Sequence, residues 1–302
     1  MINKYLLLYF MIVIYLNDIS RNEKTQFIGL LIQQDIMANS VYISSNLTST
    51  QLEFIKLLDE YEIDIFRMDE IEEKLGQSFV NINEIVENLV HKGILSRMER
   101  GKFCKATFWD ENVIGTFLVN NGAIAYWSAL NLHGLTEQFS NTVFVQSTHK
   151  KKDKTIFGVS YRFIRIAASK RQGIIKEGLG NHSYYITDEE KTLVDCFDLP
   201  QYSGGYAELI RAFATVKLTS SRMIDYCKAV NNIAATKRMG YLAELFGKSG
   251  LKSFIRFAKD QVKEAYNSLD PQGSDSGSFN AEWRLKLNIS KEELLDIANK
   301  QY

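Results

Sequence analysis

The residues of this chain that could do chemistry are few, and their spacing argues against most reactions. "TDEEK" (187–191) sets carboxylates beside a lysine, the pairing a metal-assisted nuclease would draw on, with Glu190 and Lys191 as its groups. A less demanding reading competes. Thr187 followed three residues later by Glu190 matches a capping box, and acids in a first helical turn complement the helix dipole. No further acid stands at a predictable spacing, so the cap is the preferred reading. His91, His133, His149 and His182 have no i,i+4 partner, and Cys104, Cys196 and Cys227 form no CxxC or Cys/His set. A zinc site or a disulfide framework is therefore not expected, and scattered reduced thiols suit a cytoplasmic protein. Glycine-rich phosphate loops and nucleophile elbows are missing from the sequence. The expectation is a non-enzyme without catalytic residues, metal or cofactor.

What remains is charge. The 302 residues balance 36 Lys+Arg against 36 Asp+Glu, so any contact with a polyanion must come from local patches. The stretch "ILSRMERGKFCKATF" (94–108) carries Arg97, Arg100, Lys102 and Lys105 against Glu99 alone. A turn there would present Arg100 and Lys102 to a phosphate backbone or minor groove. Shortly before it, Ser78, Asn81 and Asn83 are polar groups suited to base edges or phosphates. The segment from Lys150 to Lys176 is denser: Lys150, Lys151, Lys152, Lys154, Arg162, Arg165, Lys170, Arg171 and Lys176 face only Asp153. Lys150, Lys151, Lys152, Lys154 and Arg171 form a candidate second basic patch, with Lys150–Lys154 expected at a hairpin tip. One feature opposes DNA binding. Between Met37 and Gly93, Lys56, Arg67, Lys74 and Lys92 are heavily outnumbered by acids, which cluster before residue 74.

The elements that must position these residues follow from periodicity. Leu52, Ile55 and Leu58 recur at helical spacing, continuing toward Tyr61 and Ile63, with Ser49 or Thr50 placed to cap. "FRMDEIEEKLG" predicts a second helix stopped by Gly76, and "VNINEIVENLVHKGIL" a third with Ile82, Ile85, Val86, Leu89 and Val90 on its apolar stripe. The basic stretch then reads as a hairpin around Arg100-Gly101. Three short helices and a hairpin predict a winged helix-turn-helix over residues 37–112, with the third helix as reader. Residues 113–302 predict a mixed α+β domain. It opens with a helix over Ala123–Leu132, continues with a hairpin of "NTVFVQST" and "IFGVSYRFIRIA" and a strand "HSYYIT", and ends in a run of helices that includes "GLKSFIRFAKDQVKEAYNSL". The fold class expected is thus α+β. Residues 1–36 hold the apolar run "YLLLYFMIVIYL", too short to span a bilayer. Either it packs as a buried element or translation starts at Met37; the second reading is preferred.

In this order, "LSRMERGKFC", "AYWSALNLHGLTEQ", "DEEKTLVDCF…GGYAELIRAF" and "RMGYLAELFG" resemble the AbiEi-type antitoxins of bacterial phage-defence operons. The likeness runs from about Thr50 to Tyr302 and is most specific around Trp127-Ser-Ala-Leu130 and Gly134-Leu135. It implies a winged helix that binds operator DNA, often at inverted repeats, and represses its own operon. It further implies a C-terminal domain that assists DNA binding and counteracts a neighbouring nucleotidyltransferase-like toxin, without necessarily forming a stable complex. By position, Arg97, Arg100 and Lys102 match the family's basic wing, while the acidic helices depart from its pattern. The competing function is a protein-interaction module that uses the basic 150–176 segment, with the nuclease of Glu190 and Lys191 a distant third.

Overall fold

The computed structural model describes residues 46–300, so the apolar run at residues 5–16 and the possible start at Met37 lie outside the described residues. The chain is mixed α+β. It divides into two compact units, residues 46–63 with 68–96 and residues 64–67 with 97–300.

The first unit holds α1 (Ser49–Glu60), α2 (Ile71–Leu75) and α3 (Ile82–His91). Thr48, not Ser49 or Thr50, caps α1, in a capping box closed by Gln51. Gln51, Phe54 and Leu58 are buried while Leu52 is exposed, so the inward face keeps Leu58 of the expected stripe but takes Phe54 in place of Leu52. Phe54 meets Phe79 edge to face at 5.4 Å. α2 ends where expected, on Gly76 at φ +63°. α3 buries Ile85, Val86 and Leu89 as its periodicity predicts.

A three-stranded sheet follows, with β1 (Ile65–Arg67), β2 (Leu95–Glu99) and β3 (Lys102–Lys105) in the order β1-β3-β2. The β2–β3 turn is Arg100-Gly101, with Gly101 at φ +73°. β1 is a correction to the sequence reading, which ran helical patterning through this region. Three residues carry too little periodicity to show a strand, and pairing with β3 (Phe66 opposite Phe103, rings 5.8 Å apart) decides the conformation.

The rest of the second unit is built on a six-stranded mixed sheet in the order β6-β7-β5-β4-β9-β8. Its strands are β4 (Ala123–Ile124), β5 (Thr142–Ser147), β6 (Lys154–Ile156), β7 (Val159–Arg165), β8 (Ile174–Glu177) and β9 (Tyr184–Thr187). On one side α4 (Glu111–Leu118) packs Val113, Ile114 and Leu118 with Val143, Val145, Ile156 and Tyr161 of the sheet. A larger core gathers Phe144 and Ile164 of the sheet with helices α5 (Tyr126–Leu132), α6 (Glu189–Asp198), α7 (Tyr206–Thr215), α8 (Ser220–Val230), α9 (Ile233–Leu245) and α10 (Lys252–Asp260). The chain closes with a small sheet, β10 (Asn267–Ser268), β11 (Ser278–Asn280) and β12 (Leu285–Leu287), and then α11 (Lys291–Asn299).

Three further expectations are corrected here. Ala123 and Ile124 are strand, because they fill the slot between β5 and β9, and α5 begins only at Tyr126. "NTVFVQST" and "IFGVSYRFIRIA" do not form a hairpin with each other. β5 and β7 run parallel, and the hairpin partner of β7 is β6. Lys150–Asp153 is therefore the link leading into an edge strand rather than a hairpin tip. The long helix expected from Gly250 stops at Asp260, and Asn267–Ser268 join a sheet instead.

Candidate nucleic-acid interface

Ser78, Asn81 and Asn83 are all exposed at the start of α3. Glu72 shapes the turn that delivers them: its carboxylate accepts from the Phe79 N–H at 2.6 Å and its carbonyl from Gln77. Asn81 sits at φ +56°, a left-handed conformation that asparagine tolerates better than most residues. Exposed Val80 and Glu84 flank the three, so the helix start is polar without being cationic.

The hairpin cations divide by what they touch. Arg97 and Arg100 are exposed, with the Arg97 guanidinium 5.4 Å from the centre of the Phe103 ring. Lys102 turns inward. Its Nζ lies 2.8 Å from Glu99 Oε1, donates to the Leu118 carbonyl at 2.5 Å, and stands 5.9 Å from the Phe117 ring centre. Lys105 pairs with Asp64 at 2.8 Å. These two lysines hold the hairpin in place, so their charge is largely spent inside the fold.

Glu99 is the residue that sequence reasoning missed. Besides Lys102, its carboxylate receives Lys151 at 2.8 Å and Lys154 at 3.5 Å, so the two basic patches meet on one acid. Burial works to raise the Glu99 carboxyl, but hydrogen bonds from Lys102 and Lys151 outweigh it and hold it down to about 2. Burial also lowers the Lys102 ammonium despite Glu99, so part of the pair's gain is returned. No spacing in the sequence links position 99 to position 151; the tertiary fold brings them together.

Around this knot, Lys150 and Lys152 remain exposed on the link, like Arg97 and Arg100 on the hairpin. Lys151 lies 5.6 Å from the Phe163 ring centre. Arg171 stands apart from Glu99, donating to the Asn121 carbonyl at 2.6 Å, and its neighbour Lys170 pairs with Asp198 at 2.8 Å. The second unit thus offers Arg97, Arg100, Lys150 and Lys152 outward, braced by Lys102, Lys151 and Lys154 beneath. Such a surface can neutralise phosphates, one of which occurs about every 1.7 Å along a duplex axis.

The "TDEEK" segment is occupied by framework contacts. Asp188 is the cap of α6, accepting the Lys191 N–H at 2.8 Å and the Tyr226 hydroxyl at 2.7 Å, which corrects the expected Thr187–Glu190 box by one residue. Thr187 instead shares a hydrogen bond with Thr192. Glu190 accepts the Thr219 N–H at 2.8 Å. Lys191 is fully buried in an ion pair with Asp195, whose carboxyl burial pushes up although Lys191 opposes the shift. Glu190 and Lys191 therefore point to different partners and do not converge. Among the described residues, no group of His, Cys, Asp or Glu is arranged to hold a metal ion.

No protein-family model and no curated protein matched the chain. Among solved structures, the fold is similar to the crystal structure of the RV2827C protein from Mycobacterium tuberculosis. The TM-score is 0.58 at 13% sequence identity, and the match covers 84% of this chain and 96% of that one. At that identity the likeness concerns the fold alone.

Proposed function

We propose that this protein is a cytoplasmic, DNA-binding transcriptional autorepressor of the winged helix-turn-helix type. The observation that carries the reading is the cationic surface around Glu99, where cations from segments some fifty residues apart meet. In this reading Arg97, Arg100, Lys150 and Lys152 supply phosphate contacts, which give affinity but little sequence preference. Ser78, Asn81 and Asn83 at the start of α3 supply base contacts. The acidic α1 and α2 make a modest affinity the expectation. The antitoxin role, opposing a neighbouring nucleotidyltransferase-like toxin, is proposed on the sequence resemblance to the AbiEi-type antitoxins.

A mobility-shift titration with the DNA upstream of the gene tests the first part. Binding should weaken steeply with salt, and R97A/R100A/K150A/K152A should flatten that slope by up to about 0.9 per lost phosphate contact. An unchanged slope would remove these residues from the account. The toxin part is tested by co-expression with the adjacent reading frame. Rescue of growth by this chain is expected, and continued arrest would end the antitoxin reading.

A further inference from the structure

The six-stranded sheet carries a second polar site across its β6, β7 and β5 strands. Strand register sets Thr155 of β6 beside Ser160 of β7, and Ser160 beside Thr142 of β5, so three hydroxyls form a row across adjacent strands. None of the three hydroxyls has a hydrogen-bond partner among the described residues. Strands lie about 4.8 Å apart, so neighbouring hydroxyls can both reach one tetrahedral anion. One register step along the same face, Arg162 stands opposite Phe144, with its guanidinium 5.5 Å from the centre of the Tyr202 ring. These residues line an open groove of about 480 Å³, within the range of small-molecule sites.

The row can donate three O–H bonds and the guanidinium can add a bidentate pair, the geometry that favours phosphate over neutral ligands. The opposing group is Asp153, which also lines the groove. Its carboxylate lies 3.4 Å from Arg162 Nε and accepts the Phe163 N–H at 3.0 Å, so it repels an anion while holding the guanidinium in place. We propose that this groove binds a phosphate monoester, contacted by Thr142, Thr155, Ser160 and Arg162. Along β6, Thr155 joins the hydroxyl row while Lys154, which also lines the groove, pairs with Glu99, so the site adjoins the Glu99 surface.

Calorimetric titration of the full chain with inorganic phosphate and with a nucleoside 5′-monophosphate tests the proposal. Saturable binding is expected, weakened roughly ten- to hundredfold by R162A and roughly three- to tenfold by T155V/S160A, which leaves every charge in place. D153N should tighten it by removing the like charge. If R162A also weakens duplex binding, the monoester's place is taken by a backbone phosphate; if duplex binding is unchanged, the ligand is a small phosphorylated molecule. Absence of saturable binding by either probe, or binding indifferent to T155V/S160A, overturns the proposal. Duplex binding that fails while the monoester still binds would count against the regulator reading and leave this site standing.

Discussion

At position 99 one carboxylate does the work of an organising anion. Glu99 collects Lys102, Lys151 and Lys154, three ammonium groups that would repel one another without it. Removing it leaves the half-buried Lys102 without a counter-ion, with only the Leu118 carbonyl as acceptor, so E99Q should cost about 1–3 kcal/mol at neutral pH, read by chemical denaturation. The pH dependence follows from a lowered folded value. Glu99 contributes its stability above about 4.5, and the contribution is lost as pH falls toward about 2. Acid unfolding of the wild type should therefore steepen between these values, and E99Q should lack that component. An E99Q chain as stable as wild type would contradict the bracing role. Residue types in the sequence show which side chains are cationic. They do not show which cations are spent internally, because that depends on distant partners, as Asp64 is for Lys105 and Glu99 is for Lys151.

Among the elements, α9 shows how packing overrides propensity. Gly240 lies mid-helix, where glycine ordinarily costs close to 1 kcal/mol relative to alanine. A Cβ there would sit 2.6 Å from the Trp283 ring and 2.7 Å from Ala258 Cβ, so α9 approaches α10 and the indole only because the side chain is missing. Trp283 is fully buried, and its Nε1–H donates to Glu244 at 2.7 Å. G240A should thus destabilise by about 1–3 kcal/mol despite its better helix propensity, and a rise in melting temperature would refute the contact. The same competition explains what was legible in the sequence. α3 and α7 were readable because their apolar stripes are strong and local. β1, β4 and the parallel β5–β7 pair were not, because two or three residues carry no period and strand partners are chosen by the sheet. The cap of α1 falls at Thr48, one or two residues before the expected Ser49 or Thr50, and that of α6 at Asp188, one after Thr187, because consecutive Ser, Thr or Asp residues compete for one role.

Taken whole, the second unit buries its three thiols and several tyrosines, whose neutral forms burial favours. Burial pushes Cys104 and Cys227 up to about 12 and raises Cys196 well above the ordinary thiol value, and it raises Tyr126, Tyr161, Tyr206 and Tyr226 as well. Each raised group gives full stability below its unfolded value, about 9 for thiols and 10 for tyrosines, and loses it as pH rises through the folded value. Lys237 and Lys248 oppose this. Burial lowers both to about 8, so they add stability between about 8 and 10.5. The thiols and tyrosines outnumber them, and the melting temperature should fall progressively above pH 9; a flat profile to pH 11 would contradict the burial of the thiols.

For the molecule as a regulator, the central claim is that a chain of zero formal charge grips a polyanion through one local surface. The most direct measurement is the affinity for its upstream duplex across a salt series, with wild type beside R97A/R100A/K150A/K152A. The account predicts a steep loss of wild-type binding with salt and a shallower one for the variant. Superimposable curves, or no association at the lowest salt, would contradict it.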